Sequence, residues 1–211
     1  MKYIIMCGGQ YSNWEQPRQL TRIRGEPVVA RTIRLLQEHG VEDIAISSCD
    51  DRFLVFGVPV IKHINDYCTG ANDYAGSWAD AFYPTKEPAC YLMGDVVFSV
   101  EAIRTIVETD TDGIQFFASA PPFAPEYIKP YAEPFAFKVA DQERFQAAVD
   151  FVRKNERSGI FNRPPIAWEL WQVIKGTPIN EIDFGNYVAI NDYTCDIDDM
   201  EDAMRIKEVV Q

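Results

Sequence analysis

Short apolar runs alternate with helical segments along the first half of this chain, and this alternation constrains the fold more than any other feature. Predicted strands cover residues 3–7, 44–46, 58–61, 90–93, 113–118, 135–139 and 188–190. Predicted helices cover residues 27–39, 73–82, 99–107, 141–154, 166–175 and 199–210. Such alternation favours parallel strands covered by helices on both faces. We therefore predict an α/β fold, a Rossmann-like three-layer α/β/α sandwich with a mostly parallel central sheet.

Length and charge narrow the class of protein. The chain has 211 residues and a formal net charge of −12. This length is typical of one globular domain, and no internal repeat or obvious linker divides the sequence. So acidic a chain is a poor match for nucleic acid or for an anionic membrane surface. We expect neither as a partner, but a small anionic ligand is compatible because a local site binds it.

The cysteines and the apolar stretches indicate a cytoplasmic protein. Five cysteines are scattered along the chain and none forms a Cys-x-x-Cys pair, a pattern that favours reduced thiols over disulfides or a zinc site. The apolar run at the N-terminus stops at Gly8, which is too early for a signal peptide. No later stretch approaches the roughly 20 apolar residues of a membrane helix.

The loop after the first predicted strand has the residues of a phosphate-binding site. The strand ends abruptly in Gly8-Gly9, and Arg18 follows a proline shortly afterwards. Glycines let backbone N–H groups approach anionic oxygens closely, and arginine adds a fixed positive charge. The spacing is neither the dinucleotide-binding fingerprint nor a P-loop. A plain glycine turn beside a surface arginine is the alternative.

Asp95 is a second candidate functional residue. It directly follows Gly94 at the end of a predicted strand. Ligands of open α/β sheets bind outside the carboxyl ends of the strands, so Asp95 is expected to face such a ligand. The alternative is an aspartate that caps the turn before Ser99.

Acidic residues also cluster at the start of the last predicted helix. Asp198 and Glu201 have the spacing of a capping box. Asp199 and Asp202 suit the positive end of the helix dipole. Asp196 precedes the helix, and capping does not explain it.

Several of these motifs together resemble the nucleotidyltransferase superfamily, which includes sugar-nucleotide and cytidylyltransferase-like enzymes. The similar segments are Cys7-Gly8-Gly9, Pro17-Arg18-Gln19-Leu20, Ile23-Arg24-Gly25-Glu26-Pro27, Leu92-Met93-Gly94-Asp95 and Asp196-Ile197-Asp198-Asp199-Met200-Glu201-Asp202. The resemblance covers most of residues 3–107 and the last predicted helix, and it implies the nucleotidyltransferase-like form of the fold. One domain would span residues 1–211, with a nucleotide-binding half over 1–110, an acceptor side over 111–195 and a C-terminal helix over 196–211.

The resemblance also implies an activity. A nucleoside monophosphate would pass from a nucleoside triphosphate, with CTP favoured, to a phosphorylated acceptor such as a sugar phosphate or a phospho-alcohol. Pyrophosphate would leave, Mg²⁺ would be the cofactor, and a homo-oligomer is compatible with the pattern.

The same resemblance suggests roles for particular residues. Arg18 and Asp95 would be catalytic, and Asp95, Asp196 and Asp198 would bind the metal, with Asp196 favoured over Asp198. The nucleotide-binding candidates are Cys7, Gly8, Gly9, Gln10, Gly76 and Ser77. The candidate acceptor-binding cations are Lys129, Lys138 and Arg163.

Two alternative functions stay open. The first is a glycosyltransferase of related fold that uses a nucleotide-sugar, although Gly94-Asp95 lacks the second aspartate of an Asp-x-Asp motif. The second is a catalytically degenerate homologue that binds a nucleotide without turnover. It is suggested by Tyr11 and Asn13, which stand where the family has a glycine and an arginine.

Overall fold

The structure is a computed structural model and describes residues 1–8, 16–62 and 78–210. Several predicted features lie outside these ranges. They are Gly9, Gln10, Gly76 and Ser77 of the predicted nucleotide site, the loop positions Tyr11 and Asn13, and residues 73–77 of one predicted helix. The described remainder of that helix is a short 3-10 turn, Trp78–Ala81.

A seven-stranded sheet forms the centre of the molecule. Its strands, in chain order, are β1 (Lys2–Met6), β4 (Ile44–Ser47), β5 (Val60–Ile61), β6 (Ala89–Met93), β8 (Ile114–Ser119), β9 (Glu133–Val139) and β10 (Val188–Ala189). Their spatial order is β5-β4-β1-β6-β9-β8-β10. β9 pairs antiparallel with both neighbours, and the other described pairings in this sheet are parallel. The mostly parallel sheet predicted from the sequence is confirmed.

Two small antiparallel ladders accompany the main sheet. One pairs β2 (Arg22–Ile23) with β3 (Glu26–Pro27), directly before the first helix. The other pairs β7 (Val96–Val97) with β11 (Cys195–Asp196). The second ladder joins the segment after β6 to the segment that leads into the last helix.

Helices cover the sheet and begin where the sequence places capping side chains. They are α1 (Val28–Glu38), α2 (Val100–Glu108), α3 (Gln142–Asn155), α4 (Ala167–Lys175) and α5 (Met200–Val209). Ser99 accepts a hydrogen bond from the N–H of Ala102 to cap α2, and Asp141 accepts one from the N–H of Arg144 to cap α3. No helix in the described ranges has the length and apolar character needed to cross a membrane.

The burial of β1 shows that both faces of the central sheet are covered. Successive side chains of a strand point to opposite faces of the sheet. Ile4 and Ile5 are nevertheless both fully buried, so each face of β1 is covered. Among the helices, α1 packs against α2, and α3 packs against α4.

The N-cap of α5 differs from the expected one. Asp199, not Asp198, caps the helix, because its carboxylate accepts hydrogen bonds from the N–H groups of Glu201 and Asp202. These backbone donors lower the pKa of Asp199. The capping-box assignment of Asp198 is therefore wrong, and its carboxylate instead pairs with Arg18.

Lys138 does not lie where an acceptor-binding residue would be needed. Because β9 is antiparallel to β6, Lys138 lies beside Cys90, near the amino end of β6 and away from the edge where β6 reaches Asp95. Its buried ammonium donates hydrogen bonds to the carbonyls of Ile106, Val107 and Thr109. These are carbonyls at the end of α2, so Lys138 satisfies that helix terminus. Its ammonium is thus engaged at this helix terminus and not beside Asp95.

Gly94 is the point of closest approach between the end of β6 and the end of β1. A Cβ at this position would lie 2.2 Å from the carbonyl oxygen of Met6 and 2.9 Å from the Sγ of Cys7. Only a residue without a side chain fits there, because the nearest obstacle is backbone. The glycine thus sets the position of Asp95, which follows it.

Substitution of Gly94 is expected to destabilise the fold. Gly94→Ala should lower the free energy of unfolding by about 2 kcal/mol, since backbone must shift to admit the methyl group. Urea unfolding followed by circular dichroism measures the change. Gly113→Ala is the matched control, because a Cβ there meets nothing within 4 Å. Equal stability of the two variants would contradict the steric explanation.

Loss of the Lys138 ammonium should also cost stability. Lys138→Met leaves carbonyls at the end of α2 without their donor, and we expect the free energy of unfolding to fall by about 1–3 kcal/mol. Lys154→Met, at an exposed position in the last turn of α3, serves as the control in the same urea titration. If Lys138→Met unfolds at the control's midpoint, the ammonium does not support the helix terminus.

Candidate active site

The candidate site lies where β6 ends and where the β7–β11 ladder begins. Asp95 follows β6, and Asp196 pairs with Val96 across the ladder. The backbone N–H of Ile197 donates to the carbonyl of Asp95 over 3.1 Å. Two aspartates that are far apart in the sequence are thereby held close together, Asp95 directly before β7 and Asp196 in β11.

Arg18 links the carboxylates of this site. It begins a 3-10 turn, Arg18–Leu20, after Pro17. Its Nη1 lies 3.0 Å from Oδ1 of Asp198 and 3.8 Å from Oδ2 of Asp95. Its buried Nε has no hydrogen-bond partner among the described residues. The guanidinium as a whole is partly exposed, so its other nitrogens can meet an anionic ligand.

Asp95 has a perturbed acidity. Burial, and next the neighbouring carboxylate of Asp196, raises the pKa of Asp95 to about 6, although the guanidinium of Arg18 opposes the shift. Both causes disfavour the charged carboxylate, so a positive ligand between the two aspartates would relieve them. A shifted carboxyl group in a crevice is a common property of functional sites.

Lys129 is buried within the acidic group instead of facing a ligand. Its side chain is only 1% exposed, and its ammonium lies 2.8 Å from Oε1 of Glu133. The same ammonium contacts Oδ1 of Asp196 and lies 3.2 Å from Oδ2 of Asp202. Direct binding of an acceptor phosphate, as expected from the sequence, does not fit an ammonium so enclosed by carboxylates.

Glu133 and Tyr127 form the buried side of this group. The Tyr127 hydroxyl donates to Oε2 of Glu133 over 2.6 Å. Burial, followed by the charge of Asp196, raises the pKa of Glu133, and the ammonium of Lys129 opposes this shift. Sequence reasoning missed Glu133, Tyr127 and Asp202. The signal for Glu133 was an acidic residue next to Pro134 in an otherwise aromatic, buried segment.

The donor set suits a hard divalent cation. Among the described residues, five carboxyl groups meet here, and the cations that contact them include Arg18, Lys129 and Arg205. The carboxyl groups belong to Asp95, Glu133, Asp196, Asp198 and Asp202. Oxygen ligands with an excess of negative charge are what Mg²⁺ prefers. Asp95, together with Asp196, therefore fits a magnesium site.

Cys7 and Gly8 line the end of β1 beside Asp95. The N–H of Cys7 donates to the carbonyl of Ser47 over 2.9 Å, which continues the β1–β4 pairing. Its side chain is fully buried, and burial followed by the charge of Asp95 raises the pKa of the Cys7 thiol. A nucleotide at this edge would therefore meet the backbone of residues 7 and 8, not the thiol.

Arg163 is not brought together with the other predicted residues. Its guanidinium forms an ion pair with Glu169 over 2.6 Å, near the start of α4. The other oxygen of Glu169 accepts from the N–H of Ile166, so the pair stabilises the beginning of that helix. Within the described ranges no contact joins Arg163 to Asp95 or Asp196.

Solved structures with the same fold include two that cover nearly the whole chain. A Bacillus anthracis protein, provisionally assigned as a glucose-1-phosphate thymidylyltransferase and crystallised with sucrose, has a TM-score of 0.64 at 13% identity. The match covers 99% of this chain and 94% of that one. Rv0371c from Mycobacterium tuberculosis H37Rv has a TM-score of 0.58 at 12% identity, covering 98% and 97% of the two chains. At such identities the likeness shows the fold alone.

Sequence comparison identifies the family. No curated protein sequence matches the chain significantly. The model of the MobA-like NTP transferase domain matches residues 3–156, well over half of the chain. The chain therefore belongs to the MobA-like NTP transferase domain family, within the nucleotidyltransferase superfamily.

Proposed function

We propose that this protein transfers a nucleoside monophosphate from a nucleoside triphosphate to a small phosphorylated acceptor. The observation that carries the proposal is the meeting of Asp95 and Asp196 at the end of β6, with Arg18 beside Asp95. The residues are drawn from three distant parts of the sequence. Their arrangement is that of a site for a charged ligand, because structural packing alone would not gather so many carboxylates.

The reaction requires positioning and charge neutralisation. An oxygen of the acceptor phosphate forms a bond to the α-phosphorus, the bond from that phosphorus to the α–β bridging oxygen breaks, and pyrophosphate leaves with the electron pair. Mg²⁺ held by Asp95 and Asp196 would neutralise charge on the triphosphate. Arg18 would bind phosphate oxygens through its partly exposed guanidinium, and the backbone at Gly8 would approach the nucleotide.

The acceptor we propose is a sugar phosphate or a phospho-alcohol. The sugar phosphate is supported by the assignment of the Bacillus anthracis protein, which names glucose-1-phosphate as a substrate. CTP remains the first nucleotide to test, and dTTP is the second because of the same assignment. With Lys138 and Arg163 occupied elsewhere, the cation that meets the acceptor phosphate in this proposal is Arg18.

A pyrophosphate-release assay tests the proposal. The protein is mixed with Mg²⁺, each nucleoside triphosphate and a panel of sugar phosphates and phospho-alcohols. We expect release with at least one pair, and a loss of about 100-fold or more in kcat/KM for Asp95→Asn and for Asp196→Asn, since even outer-shell changes at metal sites cost 10–100-fold.

Asp112→Asn, at an exposed position before β8, is the control and should keep full activity. Thermal stabilisation by a triphosphate without pyrophosphate release from any pair would instead support the degenerate, nucleotide-binding homologue. The absence of both thermal stabilisation and pyrophosphate release, with every pair, would overturn the proposal.

The affinity for a divalent ion should depend on pH through Asp95. A metal ligand must be deprotonated, and the pKa of Asp95 is raised to about 6. We expect the Mn²⁺ affinity to be constant above about pH 7, with no proton released on binding, and to fall up to about tenfold per unit below pH 6, where up to one proton is released for each ion bound. Calorimetric titrations in two buffers of different ionisation enthalpy measure both quantities. A steep fall that persists in Asp95→Asn would assign the titration to another group.

A further inference from the structure

A geometrically suitable cation position exists among three aspartates at the start of α5. Asp196, Asp198 and Asp202 each offer a carboxylate oxygen, and these oxygens lie within 4.8 Å of one another. We call these three residues the aspartate cluster. Acidic groups in such an arrangement repel one another unless a positive charge lies between them.

The Lys129 ammonium occupies that position. It contacts Oδ1 of Asp196, and it lies 3.5 Å from Oδ2 of Asp198 and 3.2 Å from Oδ2 of Asp202. One ammonium therefore contacts or approaches all three members of the aspartate cluster. A divalent ion placed among the same oxygens would be within a few ångströms of a like charge.

Lys129 is held in this position from the opposite side. Glu133 contacts the ammonium over 2.8 Å, and both side chains are at most 2% exposed. Tyr127 donates to the second oxygen of Glu133. If Lys129 swung away, Glu133 would be left as a buried carboxyl group without its ionic partner, which is strongly destabilising.

The aspartate cluster is itself fixed by the fold. Oδ2 of Asp202 accepts from the N–H of Asp198 over 3.0 Å, and Oδ1 of Asp202 accepts from Arg205 over 3.0 Å. Asp202 is buried. The cluster therefore persists as a set of fixed oxygens whichever cation lies in it.

We propose that Lys129 is the permanent cation of the aspartate cluster and that it excludes divalent ions from it. The divalent ion of the proposed reaction is then restricted to the side of the site where Asp95 lies. Removal of the ammonium would turn the aspartate cluster into an additional divalent-ion site. This inference concerns ion binding by the free protein and does not require turnover.

Counting bound Mn²⁺ by electron paramagnetic resonance tests the proposal without any nucleotide. Lys129→Met should bind one more Mn²⁺ per chain than the wild-type protein. The added ion should disappear in Lys129→Met/Asp202→Asn. It should remain in Lys129→Met/Glu201→Gln, the matched control, because Glu201 is an exposed carboxylate of the same helix turn. An unchanged ion count in folded Lys129→Met would overturn the proposal, as would an added ion that survives Asp202→Asn.

Two further variants keep the test decisive if Lys129→Met fails to fold. Lys129→Met/Glu133→Gln removes both buried charges of the pair together, a change that proteins tolerate better than the loss of one partner, and it should also gain one Mn²⁺. In the wild-type background, Asp202→Asn should leave the number and affinity of bound Mn²⁺ unchanged. A loss of binding there would show that a divalent ion already occupies the aspartate cluster. Failure of the pyrophosphate assay would leave each of these ion counts interpretable.

Discussion

The contact between Gly94 and the end of β1 is the constraint on which the site depends. Two central parallel strands meet there at backbone distance, because the residue after β6 has no side chain. This contact brings Gly8 and Asp95 to the same edge of the sheet. In an open α/β sheet that edge is the usual place for a ligand, and here it also receives the last strand of the chain.

Buried charge separates this site from an ordinary acidic surface. Surface ion pairs contribute little to stability, but Lys129 and Glu133 are removed from solvent, and each would be costly alone. Such a pair fixes its members in one arrangement. Asp196 is fixed in turn because Lys129 contacts one of its oxygens, so a residue that does not itself hold the ion determines the orientation of a candidate metal ligand.

The sequence predicts the local elements well and the tertiary positions unevenly. The strand at 3–7 and the helices capped by Ser99 and Asp141 are confirmed, because periodicity and capping are local signals. The site expectations differ in outcome. Asp95 and Asp196 do come together. Lys138 lies near the amino end of β6 instead, because β9 runs antiparallel to β6. The alternating residues of β9 do not reveal the direction of the strand in the sheet.

Lys129 shows a second limit of sequence reasoning. The sequence predicts Lys129 as an acceptor-binding cation, whereas its burial depends on Glu133 and on aspartates from the end of the chain. Burial of a charge is a property of several segments packed together. No short segment of the sequence contains that information. The error over the cap of α5 is smaller, because the predicted cap, Asp198, is only one residue from the observed cap, Asp199.

The β7–β11 ladder determines when the site can form during folding. Residues 95 and 196 become neighbours only through a pairing between strands that are far apart in the sequence, and such long-range pairings form late and slowly. During synthesis the chain emerges from its N-terminus, and a domain generally folds as a unit. A nascent chain would therefore be unable to assemble the carboxylate pair until Asp196 and α5 have emerged.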